Sequence, residues 1–188
     1  MTDSTTGGTR ARIQAVALEL FTDQGYEKTS LREIAERLGV TKAALYYHFR
    51  SKDDIVNSIV DDRIERLDRL VDEGAGVTDA AGRRELLRRY ADEFFSGQQH
   101  SVMRFFEQNQ TLLKSLTAGQ RMRERLLRLA AVLAGPDPAP ETQLRATLTL
   151  FAVHSSWFAL RTPGITDEER RDVALKVAYE LLDRIDRS

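Results

Sequence analysis

The chain of 188 residues fits one domain or two small ones, because a domain typically takes roughly 150 residues. Hydrophobic residues account for 41% and charged residues for 30%, and 28 Lys and Arg nearly balance 29 Asp and Glu, a composition typical of an ordinary globular protein rather than a general polyanion binder. The absence of cysteine excludes disulfides, cysteine-bound zinc and thiolate nucleophiles, and it is consistent with a cytoplasmic location.

Two further classes of function are disfavoured by spacing. His48, His100 and His154 lie too far apart in the sequence to form a compact histidine-based metal motif, so no metal site is expected. No stretch reaches the ~18 apolar residues of a membrane span, so no membrane contact is expected. All four prolines lie beyond residue 135, which leaves a long run in which helices are not interrupted. These observations favour an all-α fold.

Short, clearly bounded helices are predicted in the N-terminal part of the chain. Residues 1–8 are small and polar and are predicted to form a disordered arm. From Thr9 onwards, apolar residues recur with the spacing of one helix face as far as Gly25, which predicts helix 1. Ser30 can cap helix 2, and Glu33 can reach back to complete a capping box.

The next signals predict a helix-turn-helix. Gly39 ends helix 2, and Thr41 can cap a third short helix two residues later. In such a unit, the second helix can lie in the major groove of DNA. Ser51 followed by Asp54 predicts the start of a fourth, longer helix that runs to about Val71.

The charge of this segment is locally basic. No acidic residue occurs between Glu36 and Asp53, although the two signs are closely mixed elsewhere. The basic residues of this acid-free segment, 37–52, are Arg37, Lys42, Arg50 and Lys52. Phosphate contacts supply most of the sequence-independent affinity for DNA, so a local patch matters more than the charge of the whole chain. The segment therefore predicts a DNA-binding surface.

The remainder of the chain predicts five more helices and one proline-rich loop. The loop is GPDPAP at 135–140, where three prolines prevent helical hydrogen bonding. Thr166 can cap the last helix, whose apolar face at 173–185 is wider than a solvent-facing helix needs. The predicted helices cover about 79–95, 100–116, 118–133, 141–160 and 167–186. The total is about nine helices with no strand.

The run TSLREIAERLGVTKAALYYHFRSKDDI resembles the tetracycline-repressor (TetR) family of bacterial transcriptional regulators. The resemblance implies a three-helix DNA-binding domain at 9–56, a linking helix 4 at about 52–71, and a helical ligand-binding and dimerisation domain at 72–188. It implies a ligand-responsive regulator that binds a palindromic DNA operator as a homodimer and is released by an unknown small-molecule effector. In this scheme the effector moves helix 4 and so changes the separation of the two recognition helices. Repression is the commoner outcome in the family, and activation stays open because it depends on where the operator lies.

Matched by position, ten residues are implied to contact DNA. Specificity is expected to rest on Lys42, Tyr46 and Arg32 together with DNA shape. The two alanines at the start of helix 3 suit apolar contact with a thymine methyl, and the remaining residues suit contact with phosphates. The full set is Ser30, Arg32, Thr41, Lys42, Ala43, Ala44, Tyr46, Tyr47, His48 and Lys52.

Each of these residues also has a purely structural interpretation. Tyr46 or Tyr47 could be a packing residue, and His48 could be an ordinary surface histidine. Arg32 and Lys52 are solvated charges in most helical proteins. Arg10 and Arg12 lie outside the motif but can add positive charge near the phosphates.

Aromatic and polar residues cluster in the middle and C-terminal helices. A concave apolar site with few polar groups needs such a set, although an aromatic residue on a helix is more often part of the core. His154 lies in the apolar run FAVHSSWF and is either a core or interface histidine or a pocket donor. The candidate ligand residues are Phe94, Met103, Phe106, Asn109, Gln110, His154, Trp157 and Phe158.

The last two helices, about 141–160 and 167–186, are implied to form the homodimer interface. Two recognition helices must reach successive major grooves about 34 Å apart, so a monomer would bind an operator weakly. The apolar surface of the interface is predicted to consist of Leu144, Leu148, Phe151 and residues 173–185.

Two other classes of protein remain as alternatives. An enzyme, or a ligand-binding helical bundle without a DNA role, is disfavoured because no nucleophile with a plausible base, no metal spacing and no glycine-rich phosphate loop is present. No catalytic residue and no cofactor are therefore expected. A helical interaction protein that has lost DNA binding would show a damaged third helix, and here that segment is intact. Salt-dependent binding to an operator-like palindrome separates a DNA-binding protein from both alternatives.

Overall fold

The computed structural model describes residues 3–96, 102, 105, 109 and 117–185, and all regular secondary structure among these residues is helical. The all-α prediction is confirmed for this part of the chain. The predicted helix over 100–116 falls almost entirely outside the described residues. The helices are α1 (Asp3–Asp23), α2 (Leu31–Leu38), α3 (Lys42–His48), α4 (Lys52–Gly74), α5 (Ala80–Phe95), α6 (Thr117–Ala134), α7 (Pro140–Ala159) and α8 (Asp167–Leu182).

The described residues divide into two compact units. The first unit holds residues up to Arg63 together with the described residues of 98–120. The second unit holds residues 64–96 and 121–185. Helix α4 contributes its first half to one unit and its second half to the other. The domain boundaries inferred from the sequence stay predictions.

Helix α1 begins earlier than the apolar pattern indicates. It starts at Asp3, so the prediction of a disordered arm over residues 1–8 is wrong for residues 3–8. That prediction rested on the lack of apolar residues. Extending an existing helix needs no new nucleus, because each added residue brings its own backbone hydrogen bond. The packing that fixes α1 begins further on, where Ile13, Ala17 and Phe21 are fully buried.

The core of the first unit lies between α1, α2, α3 and the start of α4. Ile34 and Leu45 have no exposed surface, and Phe49 is also buried. The apolar periodicity of helix 2 predicts Ile34 on its inner side, and the one-turn spacing of Leu45 and Phe49 predicts the same for helix 3. Leu38 packs at the edge of this core and is half-buried. Phe21 meets the Tyr26 ring edge-on at a centroid distance of 5.0 Å. Helix α3 is thus held by one buried side.

The helix boundaries in this unit follow the predicted capping signals. The Glu33 amide donates to the Ser30 Oγ (3.2 Å), and the Ser30 amide donates to the Glu33 carboxylate (2.7 Å), which completes the predicted capping box. Gly39 ends α2 with φ +69°, a left-handed conformation that disfavours a side chain even though a Cβ would meet no neighbouring atom. The Ala44 amide donates to the Thr41 Oγ1 (3.1 Å), so Thr41 caps α3 as predicted.

The second unit is a bundle in which α8 packs most extensively against α7 and also against α5. Its fully buried residues include Leu87, Leu129, Leu133, Val153 and Leu182. Thr166 caps α8 and forms a second capping box with Glu169, as the sequence TDEE predicts. None of the described helices is long and apolar enough to cross a membrane.

Candidate nucleic-acid interface

Helix α3 has one side in the core and the other at the surface. Leu45 is fully buried, whereas Tyr46 is 42% exposed and Tyr47 is 82% exposed. The exposure of Tyr47 does not fit a packing role in the single chain. Ala43 and Ala44 are also exposed, so the first turn of α3 leaves the backbone open to close approach.

The polar groups on this side of α3 are organised by contacts with aromatic rings. The Lys42 ammonium lies 5.3 Å from the centroid of the Tyr46 ring, and the rings of Tyr47 and His48 meet edge to face at 5.3 Å. An ammonium, two phenol hydroxyls and an imidazole are donors suited to phosphates and base edges. We call the exposed side chains Thr41–Ala44, Tyr46 and Tyr47, with the half-buried His48, the α3 surface.

The residues predicted on α2 already have partners within the helix. Ser30 is engaged in its capping box. The Arg32 Nε donates to the Glu36 carboxylate at 2.7 Å, and this bond raises the pKa of Arg32. The Arg32 side chain is largely exposed, and exposed i,i+4 ion pairs contribute little, so the pair can be exchanged for a phosphate.

Lys52 differs from the other predicted contacts. Its Nζ donates to the carbonyl oxygens of Tyr26 (2.6 Å) and Glu27 (3.3 Å). It also lies 4.4 Å from the centroid of the Tyr26 ring. The ammonium of this half-buried lysine is therefore directed into the turn between α1 and α2, which covers residues 24–30.

The basic segment 37–52 is partly neutralised by a residue outside it. An Arg37 guanidinium nitrogen lies 3.3 Å from the Glu19 carboxylate, which belongs to α1. Lys42 and Arg50 are both exposed. The positive charge of this region is consequently concentrated near α3 rather than spread over the whole acid-free segment.

In the second unit, the structure brings together two of the predicted ligand residues. The rings of Phe94 and His154 lie 4.9 Å apart. Tyr90, which is not among the predicted ligand residues, joins them: its hydroxyl shares a hydrogen bond with the His154 Nε2. Tyr90 precedes Phe94 by one helical turn, and the sequence predicts both on the inward side of this helix.

The other candidate ligand residues have different surroundings. Trp157 lies under the Arg170 guanidinium, 5.1 Å from ring centroid to Cζ. Phe158 is exposed, with its ring 6.3 Å from that of Phe151. The Asn109 side chain donates to a backbone carbonyl within the first unit, at Phe105 (2.9 Å). The candidates that lie outside the described residues are Met103, Phe106 and Gln110.

Two grooves are lined by described residues of the second unit, and neither includes a predicted ligand residue. One, of about 340 Å³, has a mostly charged lining that includes Arg88, Arg89 and Asp92. The other, of about 310 Å³, lies between α6 and α7 and has a mainly apolar lining that includes Leu127 and Ala131. Their chemistry differs from that of the Tyr90–His154 pair.

Helices α7 and α8 carry a second exposed surface made of hydrocarbon side chains. On α8, Ala174, Ala178 and Leu182 are buried, while Val173 and Val177 are exposed. The wide apolar face predicted for this helix thus consists of a buried stripe and an exposed stripe. We call the exposed set the α7–α8 apolar face, and its members are Leu144, Leu148, Phe151, Phe158, Val173 and Val177.

A helix-turn-helix held by its own core, with exposed tyrosines and a lysine on its second helix, is typical of a DNA-binding transcriptional regulator. Residues 13–59 match the family described as bacterial regulatory proteins of the tetR family. The transcriptional regulator TcmR of Streptomyces glaucescens is 30% identical over 189 aligned positions, and the alignment covers 93% of this chain and 82% of TcmR. The chain belongs to the TetR family.

Other similarities are either short or limited to the fold. The transcriptional regulator AcrR of Shigella flexneri is 51% identical over 51 residues, 27% of this chain and only 24% of AcrR. The TetR-family regulator PfmR of Thermus thermophilus superimposes with a TM-score of 0.65 at 27% identity, covering 94% of this chain and 98% of PfmR. Because the relatives are DNA-binding regulators, the enzyme interpretation is excluded.

Proposed function

We propose that the protein is a repressor that binds a palindromic operator as a homodimer and is released by a small molecule. The α3 surface is the observation that carries this proposal. On this short, capped helix, Leu45 lies in the core, whereas Tyr46 and Tyr47 are exposed and the Lys42 ammonium lies over the Tyr46 ring. Contact with DNA would account for these exposed side chains.

The chemistry of the α3 surface suggests how the contacts divide. Lys42 and Tyr46, with Arg32 after exchange of its ion pair, would provide sequence specificity. The methyl groups of the two alanines would meet a thymine methyl. The contacts to phosphates would come from Ser30, Thr41, Tyr47 and His48.

The homodimer would form through the α7–α8 apolar face. Exposed leucine, valine and phenylalanine side chains on two neighbouring helices lose unfavourable hydration when a second copy covers them. Phe158, which the sequence predicts as a ligand residue, fits this face better because it is exposed beside Phe151. A two-fold dimer would place two recognition helices on one palindrome.

The effector would bind in the second unit near Tyr90, Phe94 and His154. A hydrogen-bonded phenol and imidazole beside an aromatic ring suit an apolar or aromatic molecule with one polar group. Helix α4 runs through both units, which makes it the candidate link between effector and operator. The effector would act only by binding one arrangement of the dimer more tightly than the other. Binding to a bacterial DNA operator would place the protein in the cytoplasm.

Selection of duplexes from a random DNA pool by the purified full chain tests the proposal. We expect enrichment of a palindrome with half-site centres roughly 10–10.5 base pairs apart or a multiple of this. Binding should weaken linearly with salt on logarithmic axes, with a slope that reflects several phosphates. Failure to enrich any palindrome would favour the alternative of a helical interaction protein without a DNA role. A reporter gene downstream of the selected palindrome then separates repression from activation.

A further inference from the structure

We propose that Lys52 is a positioning residue, which fastens the α1–α2 turn to the first turn of α4 and thereby sets the N-terminus of α2, instead of contacting a DNA phosphate. The inference rests on the proposed function only in that operator binding supplies one of its readouts. The other readout is the local stability of the free protein.

The contacts of Lys52 account for most of its bonding capacity. An ammonium has three donors, and two of them reach the carbonyl oxygens of Tyr26 (2.6 Å) and Glu27 (3.3 Å). The face of the Tyr26 ring lies against the same ammonium, with 4.4 Å between Nζ and the centroid. While these contacts are kept, only the third N–H is left for a phosphate.

The position of Lys52 in α4 explains this orientation. Lys52 is the first residue of α4, where the unpaired amides of the first turn disfavour a positive charge. Two carbonyl oxygens from the turn provide the negative dipoles that the helix end does not. The neighbouring Asp53 suits the helix end and accepts a hydrogen bond from the Tyr26 hydroxyl. Lys52 therefore binds the backbone carbonyl and the ring of Tyr26, and the next residue, Asp53, binds its hydroxyl.

The turn that Lys52 holds leads directly into α2. Tyr26 is 7% exposed and packs on Phe21, so its ring is a fixed anchor in the core. The Thr29 amide donates to the same Tyr26 carbonyl (3.3 Å) that Lys52 engages. The next residue is Ser30, which caps α2. The Lys52 charge also contributes, after the bonds from Ser30, to a pKa of Glu33 below its ordinary value. A shift of Lys52 would thus be transmitted to the capping box.

Salt dependence distinguishes a positioning lysine from a phosphate contact. Each neutralised phosphate contributes about 0.9 to the slope of log affinity against log salt concentration. We expect Lys52→Met to lower affinity for the selected palindrome several-fold while leaving this slope unchanged. Lys42→Met is the matched control, because it removes the same charge from an exposed lysine of the α3 surface. Its slope should fall if Lys42 meets the DNA backbone as well as a base.

Hydrogen exchange on the free protein provides the second readout. Lys52→Met should speed amide exchange at residues 26–33 and leave the exchange of α8 unaltered. Lys52→Gln keeps an amide donor for the turn carbonyls, so it should fold even if Lys52→Met does not. It should show the same unchanged slope and a smaller increase in exchange.

Two results would overturn the proposal. A slope reduced by about 0.9 in Lys52→Gln would make Lys52 a phosphate contact. Unaltered amide exchange at residues 26–33 in both variants would show that Lys52 does not stabilise the α1–α2 turn. If the unsubstituted protein selected no palindrome, the proposed function would fail, but the exchange experiment would still decide the role of Lys52.

Discussion

The α3 surface and the α7–α8 apolar face are both built from large side chains on helices whose opposite sides are buried, yet their chemistry differs. On α3, Tyr46 and Tyr47 end in hydroxyl groups, and the Lys42 ammonium lies over the Tyr46 ring. On α7, Leu148 and Phe151 offer only hydrocarbon. The first surface suits a charged, hydrated partner such as DNA, and the second suits another apolar surface.

This difference shows that exposed apolar area alone does not identify a partner. The polar tips and the nearby charge do, because a groove in DNA presents phosphates and base edges that need donors. A surface without donors loses nothing by being covered with hydrocarbon. The two surfaces are therefore expected to respond to different substitutions.

The largest effect is expected from Phe151→Glu, which places a carboxylate in the α7–α8 apolar face. Phe151 is 52% exposed in the single chain, so folding of the chain should change little. In a dimer, an uncompensated buried charge costs on the order of 3–5 kcal/mol. Dimerisation should weaken about 100-fold or more, as measured by sedimentation equilibrium. Operator affinity should fall with it, because each half-site is then bound alone.

Leu127→Glu is the matched control for this substitution. Leu127 lies on α6, is 51% exposed and is not part of the α7–α8 apolar face. This variant should stay dimeric and keep its operator affinity. Equal dimer dissociation constants in the two variants would show that the α7–α8 apolar face is not the dimer interface.

A smaller and more selective effect is expected from Lys42→Ala. One good contact to a base edge contributes about 1–3 kcal/mol of discrimination. The ratio of affinities for the selected palindrome and for random DNA should fall roughly tenfold at fixed salt. Arg50→Ala removes an exposed charge from the same segment and should weaken both duplexes alike. An unchanged ratio in Lys42→Ala would refute a role for Lys42 in specificity.

Local signals in the sequence predicted those features that depend on neighbouring residues. Ser30 with Glu33 fixed the start of α2, and Gly39 fixed its end, because caps act within a single helical turn. Periodicity also placed Ile34 and Leu45 in the core. For the same reason, the general position of the α3 surface could be predicted from one short motif.

Contacts between distant residues could not be predicted in this way. The partner of Arg37 is Glu19, 18 positions earlier, so the acid-free segment is less basic than its composition indicates. Tyr90 and His154 are 64 positions apart, and only the packing of their helices brings them together. Which side of a wide apolar helix is buried also depends on contacts with residues distant in the sequence. Phe158 could not be assigned to the surface until the buried side of α7 was known.

The smallest effect compares one capping box in each unit. Bonds from Ser30 lower the pKa of Glu33, and bonds from Thr166 lower that of Glu169, both below the ordinary 4.5. A carboxyl group whose pKa is lowered by folding stabilises the fold above its unfolded-state pKa, and this contribution is lost as pH falls through the folded-state value. Glu33→Gln and Glu169→Gln keep an acceptor but do not titrate. Urea unfolding should therefore show each variant less stable than the unsubstituted protein at neutral pH, and this deficit should shrink as the pH falls below 4.5 and through the lowered folded-state pKa. A deficit that persisted in acid would mean that the charge of the carboxylate is not what the cap requires. We also expect only Glu33→Gln to weaken operator binding, because α2 belongs to the helix-turn-helix and α8 does not.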